Sequence, residues 1–319
     1  QAVWLSPGGS LRQSRPPRCG PGARAASASP ITMSKNPTFC KEWATTDEVS
    51  QLPSDQFLTG YMVVLSVAGL ISLVLVKSLR PADISRLLQE GGVALNKIAH
   101  TAKEIERKVF HLCGLLVPLI YQALLHHDVS RQFCIRICWT VTVLGVAGDL
   151  LRVHVPWVKA NWPLKSILRE AEQDQLCGGT YFAIGCTLAI HLFHPVIAMT
   201  SIIFLVLGDM AAALIGRSFG QSVCSMKVGP GGKKSVEGSF GMFAVCVLFG
   251  CTIFTHVHLR EYAVVIGALT ATLVELYEPF GINDNVSIPI LSSLALTFGF
   301  ARTFSCEPAR NPLLWYSEL

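Results

Sequence analysis

Apolar residues in this chain occur in long continuous runs, which follow one another from residue 57 to residue 301 with short polar segments between them. A hydrocarbon core about 30 Å thick is crossed by roughly 20 residues of helix, with a range of about 17 to 25. The pattern therefore predicts an all-α fold, a polytopic helical membrane protein with about eight transmembrane helices. The predicted spans are residues 57–76, 109–125, 133–148, 178–195, 197–216, 238–257, 262–276 and 286–301. Because 133–148 and 262–276 are short, seven or nine spans are the alternatives.

The composition agrees with a membrane domain. Hydrophobic residues make up 51% of the chain and charged residues 15%, against roughly 25% charged residues in soluble domains. The basic residues lie between the apolar runs and do not alternate with aromatic residues, so no nucleic-acid partner is expected. The chain has eleven cysteines and no C-x-x-C pair. We interpret the cysteines within apolar runs as small apolar side chains rather than disulfides or zinc ligands.

Three regions follow from this pattern: an N-terminal segment without a predicted fold at 1–56, a transmembrane domain at 57–302 and a short tail at 303–319. No acidic residue precedes Glu42, and the residues before it are rich in Arg, Ser, Pro and Gly. Residues 1–32 therefore resemble a transit peptide. The alternative is upstream sequence that precedes a translation start at Met33.

The distribution of basic residues predicts an orientation, because cytoplasmic loops carry an excess of Lys and Arg. If the first span runs from outside to inside, the short outer loops contain only Arg131 and Arg260. The inner loops then contain fifteen basic residues: Lys77, Arg80, Arg86, Lys97, Lys103, Arg107, Lys108, Arg152, Lys159, Lys165, Arg169, Arg217, Lys227, Lys233 and Lys234. The basic N-terminal segment favours the reverse orientation. In the predicted orientation, the polar clusters described next all lie at the cytoplasmic edge of the membrane.

The first cluster lies at the end of the predicted span 197–216. Asp209, Ala213, Gly216 and Gly220 are spaced so that they share one helical stripe. The small residues alone are typical of close helix packing. A carboxylate at the end of a span is costly and indicates a functional site, so Asp209 and the preceding Gly208 are candidate site residues.

The second cluster is a glycine-rich loop that runs from Gly229 into the span 238–257. Backbone amides of such a loop and of the following helix N-terminus can bind an anion, and lysine adds charge suited to phosphate. The alternative is a flexible, positively charged loop, since the pattern is not that of a P-loop. Its candidate residues are Lys233, Lys234, Ser235, Glu237, Gly238 and Ser239.

Two further clusters complete the candidate site. Residues 275–289 contain Asp284 and Asn285, and clustered oxygen ligands between spans suit Mg²⁺; a solvated turn is the alternative. Arg107, Lys108 and His111 open the span 109–125 and are suited to a phosphate or a lipid headgroup, or flank the span as anchors. By contrast, Asp149 and Arg152 are interpreted as an intrahelical ion pair.

Together these segments resemble the CTP-dependent lipid kinases, which include the yeast-type diacylglycerol kinases, phytol kinase and dolichol kinase and are related to phosphatidate cytidylyltransferases. Four motifs carry the resemblance in order over residues 104–301: Arg107-Lys-x-x-His111, Gly208-Asp209-x-x-Ala212-x-x-x-Gly216-Arg217-x-x-Gly220, Lys234-Ser235-x-Glu237-Gly238-Ser239 and Asp284-Asn285-x-x-x-Pro289.

The resemblance implies transfer of a phosphoryl group from CTP, with Mg²⁺ or another divalent cation, onto the hydroxyl of a membrane lipid alcohol. It implies that Asp209 and Asp284 are metal or nucleotide carboxylates and that Lys234, Ser235 and Glu237 belong to a phosphate-binding loop. Gly216, Arg217 and Gly220 would border the nucleotide.

Diacylglycerol is the favoured acceptor, with phytol, farnesol and dolichol as alternatives. A second alternative is a phosphatidate cytidylyltransferase, although the signature that group carries near its end is replaced here by the sequence around Asp284. A transporter or a membrane scaffold is the non-enzymatic alternative, and it is less favoured because the ionisable residues lie at one membrane edge. The expected location is the endoplasmic reticulum, or a plastid membrane if residues 1–32 are a transit peptide.

Overall fold

The computed structural model of the chain describes residues 52–78, 86, 111–162, 172–219, 227–229, 234–257 and 259–303. Its α-helices are α1 (Asp55–Ser78), α2 (Leu116–His126), α3 (Arg131–His154), α4 (Pro156–Ala160), α5 (Gly178–Leu192), α6 (Pro195–Ile203), α7 (Asp209–Phe219), α8 (Val236–Ile253), α9 (Arg260–Tyr277) and α10 (Asp284–Thr303). Short 3₁₀ turns at Leu112–Leu115 and Pro279–Gly281 precede α2 and α10, and a π-helix at Phe204–Gly208 joins α6 to α7.

The predicted all-α membrane class is confirmed. Each of the eight predicted spans coincides with helix in the described part of the chain. Five helical segments there are long and apolar enough to cross a membrane: Asp55–Leu75, Arg131–His154, Pro195–Gly216, Val236–Ile253 and Asp284–Ala301. The number of spans, eight, stays a prediction. Helix α3 extends well beyond the predicted residues 133–148, because its polar C-terminal turn is still helical.

The centre of the bundle is the continuous helical path formed by α6, the π-helix and α7. Every residue from 196 to 209 is buried, which fits a segment whose residues are mostly apolar around the whole helix. By contrast, α1 and α3 leave large apolar side chains exposed, including Val64, Val74, Val141 and Leu144. In a membrane protein such surfaces face lipid.

Two short strands, β1 (Lys227–Val228) and β2 (Lys234–Ser235), pair antiparallel and lead directly into α8. Gly229 follows β1 with a φ of +79°, and a Cβ atom there would lie 2.5 Å from the carbonyl oxygen of Leu276. Only glycine combines this left-handed conformation with so close an approach. The hairpin is thereby held against the C-terminal end of α9.

The helical bundle has two ends. We call the end that contains Asp209, Lys234, Glu275 and Asp284 the charged end. The end that contains Arg131, Phe193 and Arg260 is called the opposite end.

Candidate functional site

Asp209 begins α7 directly after the π-helix and is mostly buried at the charged end. Its Oδ2 lies 4.0 Å from Nε2 of His111, at the start of the turn that leads into α2. Residues in π-helical turns frequently occur at functional sites. Two of the predicted site residues, far apart in sequence, are therefore brought together here.

Lys234 forms the next contact of the charged end. Its Nζ lies 2.9 Å from Oε1 of Glu275 and 3.1 Å from Oε1 of Glu278, and it also donates to the backbone carbonyl of Glu275. Glu275 is buried, whereas about half of the Glu278 side chain is exposed. The lysine thus joins the N-terminal end of α8 to the C-terminal end of α9.

Glu278 also has an unusual backbone, with φ +43° and ψ +65°. A non-glycine residue in this region costs on the order of 1 kcal/mol. The conformation ends α9 abruptly and leaves the carboxylate beside Lys234. Backbone strain of this kind is often found at functional sites.

The charge of Lys234 is set by two opposing effects. Burial disfavours the ammonium ion, but the carboxylates of Glu275, Asp284 and Glu278 outweigh burial and raise the pKa of Lys234 above its usual value. Lys234 is therefore charged throughout the physiological pH range. Asp284 is thus one of the carboxylates whose charge acts on Lys234.

Asp284 lies in the first turn of α10, where the helix dipole favours an acidic side chain. The backbone N–H of Asn285 donates to Oδ1 of Asn283 at 3.0 Å and to Oδ1 of Asp284 at 2.9 Å. Asp209 and Asp284 both interact electrostatically with Glu275. The carboxylates predicted from two separate motifs are therefore both within electrostatic reach of the same buried carboxyl group. We call these three carboxylates the acidic cluster.

Ser235, Gly238 and Ser239 have a structural role in this arrangement. The Ser235 hydroxyl accepts from the backbone N–H of Gly238 at 3.1 Å and so caps α8. Ser239 donates to the carbonyl of Ser235 at 3.3 Å. Glu237 lies in the first turn of α8, where an acidic residue is favoured by the helix dipole. The cap brings the N-terminus of α8, a potential anion site, next to Lys234.

Gly216 and Gly238 allow α7 and α8 to approach closely. A Cβ atom on Gly216 would lie 2.8 Å from Oγ of Ser235, and one on Gly238 would lie 2.6 Å from the carbonyl oxygen of Ala212. Gly208 is similarly confined by Cys246 and Met242. The helix-packing interpretation of the small-residue stripe therefore applies to Gly216, which also borders the α8 cap.

Four predicted site residues lie outside the described residues: Arg107, Lys108, Gly220 and Lys233. Of Arg217, only the position in α7 is described. Asn285 lies beside the N-terminal end of α5, where its Nδ2 is 3.5 Å from the point that a Cβ of Gly178 would occupy.

Glu275 begins the oxygen-rich segment 275–289 that the sequence indicates, but it is not among the residues predicted for the site. The available signal was the pair Glu275 and Glu278, which lie one helical turn apart at the end of an apolar run. The loop with Lys233 and Lys234 offered possible partners of opposite charge. The pairing of this turn with Lys234 depends on how α8 and α9 pack, which local sequence does not specify.

The predicted Asp149–Arg152 ion pair is confirmed, with Nε 2.6 Å from Oδ1 and both side chains almost fully buried. It is the centre of a larger network. The remaining Arg152 nitrogens donate to the backbone carbonyls of Glu172 at 3.1 Å, Gln173 at 3.2 Å and Gln175 at 2.6 Å.

The other oxygen of Asp149 completes this network. Its Oδ2 accepts from the backbone N–H of Cys177 at 2.7 Å and from the Thr180 hydroxyl at 2.8 Å. We call these contacts of Asp149 and Arg152 with residues 172–180 the α3–α5 clamp. It attaches the C-terminal end of α3 to the N-terminal end of α5.

The fold and the acidic cluster define a polytopic membrane protein with a charged site at one end of its helices. Among known proteins, the chain is similar to CTP-dependent lipid kinases, and the predicted resemblance is confirmed. The CTP-dependent diacylglycerol kinase 1 of Schizosaccharomyces pombe is 24% identical over 208 residues, which cover 60% of this chain and 92% of that protein. The protein of the same name from Saccharomyces cerevisiae is 26% identical over 219 residues, 61% of this chain and 72% of its own length.

An uncharacterized protein of Rickettsia prowazekii is 25% identical over 202 residues, 61% of this chain and 93% of that protein. No family model and no solved structure matches the chain.

Proposed function

We propose that this protein transfers the terminal phosphoryl group of CTP to the hydroxyl of a membrane lipid alcohol, and that this alcohol is diacylglycerol. The observation that carries the proposal is the convergence of Asp209, Asp284 and Glu275 around the Lys234 loop at one end of a membrane bundle. Phosphoryl transfer requires mainly positioning and neutralisation of charge. A site at the membrane edge is accessible both to a soluble nucleotide and to a lipid headgroup.

The donor set fits a divalent cation. Within the described residues, no group of three or more His, Cys, Asp and Glu side chains has an arrangement that could hold a metal ion by itself. Mg²⁺ is usually held by one or two carboxylates together with substrate phosphates and water. Asp209 and Asp284 would hold it, and when bound it would neutralise charge on the nucleotide phosphates.

The residues of the chain supply the remaining requirements. Lys234 carries a positive charge beside the acidic cluster, and the capped N-terminus of α8 directs backbone amides toward the same end. Transfer forms an O–P bond to the lipid hydroxyl, breaks the bond between the terminal phosphorus and its bridging oxygen, and releases CDP. The hydroxyl proton is lost at the same time, and the carboxylates of the cluster are suitable acceptors.

The choice of diacylglycerol has two supports: the names of the yeast relatives, and the sequence Asp284-Asn285-x-x-Ile288-Pro289, which is most similar to that branch. Phytol, farnesol and dolichol also present a primary hydroxyl on an apolar body. A direct assay with each lipid alcohol therefore has to identify the acceptor.

The test uses the purified full-length protein in detergent micelles with Mg²⁺. CTP is radiolabelled either on the γ-phosphate or on the α-phosphate, and diacylglycerol, phytol, farnesol, dolichol and phosphatidate are offered separately. We expect γ-label in phosphatidate formed from diacylglycerol, less transfer from ATP, and no α-label in lipid. Pyrophosphate release with α-label in the lipid would instead identify a cytidylyltransferase. Transfer to phytol, farnesol or dolichol alone would replace the acceptor, and no transfer to any of them would favour a non-enzymatic role.

For location, we propose the endoplasmic reticulum membrane with the charged end toward the cytoplasm, as the basic loops suggest. Single cysteines placed near Lys159 and near Asp128, in a cysteine-depleted protein, test this orientation. A membrane-impermeant reagent added to sealed microsomes should label the first position and not the second. Labelling of both positions, or of the second alone, contradicts the orientation.

A further inference from the structure

The α3–α5 clamp is not explained by helix packing alone. Helices α3 and α5 already contact each other in the membrane interior, where the hydroxyls of Thr142 and Thr187 lie 2.7 Å apart. A buried ion pair is a weak source of stability, because the loss of hydration offsets much of the attraction. The Asp149–Arg152 pair lies at the same end of the bundle as the proposed site, which indicates a role beyond stability.

The clamp fixes a segment that touches the site. A Cβ atom on Gly178 would lie 3.5 Å from Nδ2 of Asn285. One on Gly185 would lie 2.2 Å from the Asn285 carbonyl oxygen and 3.0 Å from Cα of Val286. Helix α5 therefore packs directly on the first turn of α10, the turn that carries Asp284.

Pro289 lies at the same contact. Since proline has no N–H, the carbonyl of Asn285 cannot receive the usual helical hydrogen bond from the residue four positions later. This carbonyl and the ring of Pro289, whose Cγ would be 3.0 Å from a Cβ on Gly185, both lie against α5. A shift of α5 therefore moves the first turn of α10.

We propose that Asp149 and Arg152 are positioning residues, which hold α5 against the first turn of α10 and thereby set the location of Asp284 and Asn285. The catalytic part of this proposal rests on the proposed function. Arginine suits the task because its planar fork serves the carboxylate and three carbonyls at once, which a lysine ammonium cannot do. The exposed Lys159–Asp174 pair, at 2.5 Å, adds little to this attachment.

The chain offers a matched control at the other end of the same two helices. Arg131, in the first turn of α3, donates to the carbonyls of Ile190 at 3.3 Å, His191 at 3.0 Å and Phe193 at 3.0 Å. It holds the C-terminal end of α5 as Arg152 holds the N-terminal end. Replacement of either arginine by lysine removes the same kind of contact, but only Arg152 lies near the site.

The first test measures amide hydrogen exchange in the purified full-length protein, with no dependence on activity. The amide of Cys177 is the direct readout, because it donates to Asp149. Arg152→Lys should accelerate exchange in peptides that cover residues 172–180 about tenfold or more, as expected when a local structure opens. Arg131→Lys should leave that segment unchanged. Unchanged exchange in Arg152→Lys would overturn the positioning role whatever the protein catalyses.

The second test measures kinetics with CTP and the lipid acceptor. Arg152→Lys should lower kcat about tenfold or more, because a small misplacement at a site costs rate even when the ligand still binds. The KM for CTP should change less than kcat. Arg131→Lys should lower the thermal unfolding temperature in detergent to a similar extent while its kcat stays near that of the unmodified protein. Equal losses of kcat in the two variants would mean a merely structural clamp.

Two substitutions of Thr180 are smaller changes, and they keep the test valid if Arg152→Lys does not fold. Thr180→Ser keeps the hydroxyl that donates to Asp149, and Thr180→Val removes it with little change of shape. Exchange and kcat in Thr180→Ser should match the unmodified protein, whereas Thr180→Val should shift both in the direction of Arg152→Lys. If the unmodified protein transfers no phosphate, the proposed function fails, and the exchange data alone decide the positioning role.

Discussion

The two ends of the helical bundle use polar side chains in different ways. At the opposite end, Arg131 binds backbone carbonyls at the end of α5, and the hydroxyls of Tyr61 and Thr252 bind each other at 2.7 Å. At the charged end, beside the backbone contacts of the α3–α5 clamp, Asp209 lies next to His111 and Lys234 binds the carboxylates of Glu275 and Glu278. The first arrangement satisfies helix ends and interhelical contacts, so the fold accounts for it.

The charged end has an excess of negative charge that the fold does not explain. Among the described residues, Glu275 and Glu278 bind Lys234. Asp284 lies within electrostatic reach of Lys234 and Glu275, and Asp209 lies within reach of Glu275. Carboxylates placed close together repel each other, and a bound cation relieves this repulsion. This difference between the ends is the reason that the proposed cation and nucleotide site is placed at the charged end.

The largest expected effect comes from removal of one negative charge. Asp209→Asn and Asp284→Asn keep the side-chain shape and should each lower turnover roughly a hundredfold or more, if the carboxylates hold a divalent cation on the nucleotide phosphates. Initial rates at saturating CTP and Mg²⁺ measure the effect, and detergent-solubilised yield with thermal unfolding verifies folding.

The matched control for both variants is Asp128→Asn at the opposite end. Asp128 is exposed and has φ +57°, a conformation that asparagine also tolerates well. Its rate and stability should stay normal. Near-normal turnover in either site variant removes that aspartate from the mechanism.

The second prediction separates the structural role of the Lys234 ion pairs from a role of Lys234 in phosphate transfer. Lys234→Met leaves the buried Glu275 without its lysine and should lower the free energy of unfolding by about 1–3 kcal/mol, since the pair is only partly shielded from water. The double variant Lys234→Met with Glu275→Gln should recover much of the stability. Turnover should stay at least about tenfold low in both, because the positive charge for phosphate is absent.

Thermal unfolding and turnover of the two variants are compared in the same detergent. Recovery of turnover together with stability in the double variant would show that Lys234 has only a structural role.

A third variant tests the close contact between α5 and α10. Gly185→Ala puts a methyl group 2.2 Å from the Asn285 carbonyl oxygen and must displace one of the two helices. We expect a fall of turnover of several-fold to about tenfold and a destabilisation of about 1–3 kcal/mol, as for other overpacked positions. Gly145→Ala in α3 is the control, because a Cβ atom there meets nothing within 4 Å.

The Gly145→Ala variant should keep its turnover and gain slightly in stability, since alanine favours a helix over glycine by about 1 kcal/mol or less. Equal behaviour of the two glycine variants would mean that the close contact between α5 and α10 has no special effect on turnover.

The smallest effect is expected at the opposite end. Arg260 contacts the carbonyl of Thr255 and lies 3.1 Å from Glu261 in its own helix. Arg260→Gln should change the free energy of unfolding by about 0.5 kcal/mol or less and leave turnover unchanged, as is usual for surface substitutions. A large loss of turnover there would mean that the two ends are coupled and that the comparison between them is too simple.

Much of this organisation could be predicted from the sequence, because apolar runs and the cost of charge in a membrane act locally. Asp209 and Asp284 stand out for that reason, and in the structure both lie within electrostatic reach of Glu275, which binds Lys234. The role of Glu275 could not be predicted, since it depends on the packing of α8 against α9. The clamp around Arg152 was predicted only as an ion pair, because its other partners are backbone carbonyls in a loop about twenty residues away, where sequence carries no signal.

The π-helix at Phe204–Gly208 has a consequence for how this protein can change during evolution. A π-helical turn amounts to one residue inserted into an α-helix, and one residue rotates all that follows by about 100°. The core half, Pro195–Ile203, is mostly apolar, and its Ser201 accepts a hydrogen bond from Ser293 at 2.7 Å. Helix α7 has a different requirement, because Asp209 must lie beside His111 and Gly216 beside the α8 cap. The insertion therefore lets each half keep its own rotational phase, so that an apolar exchange in the core need not turn Asp209 away from its neighbours.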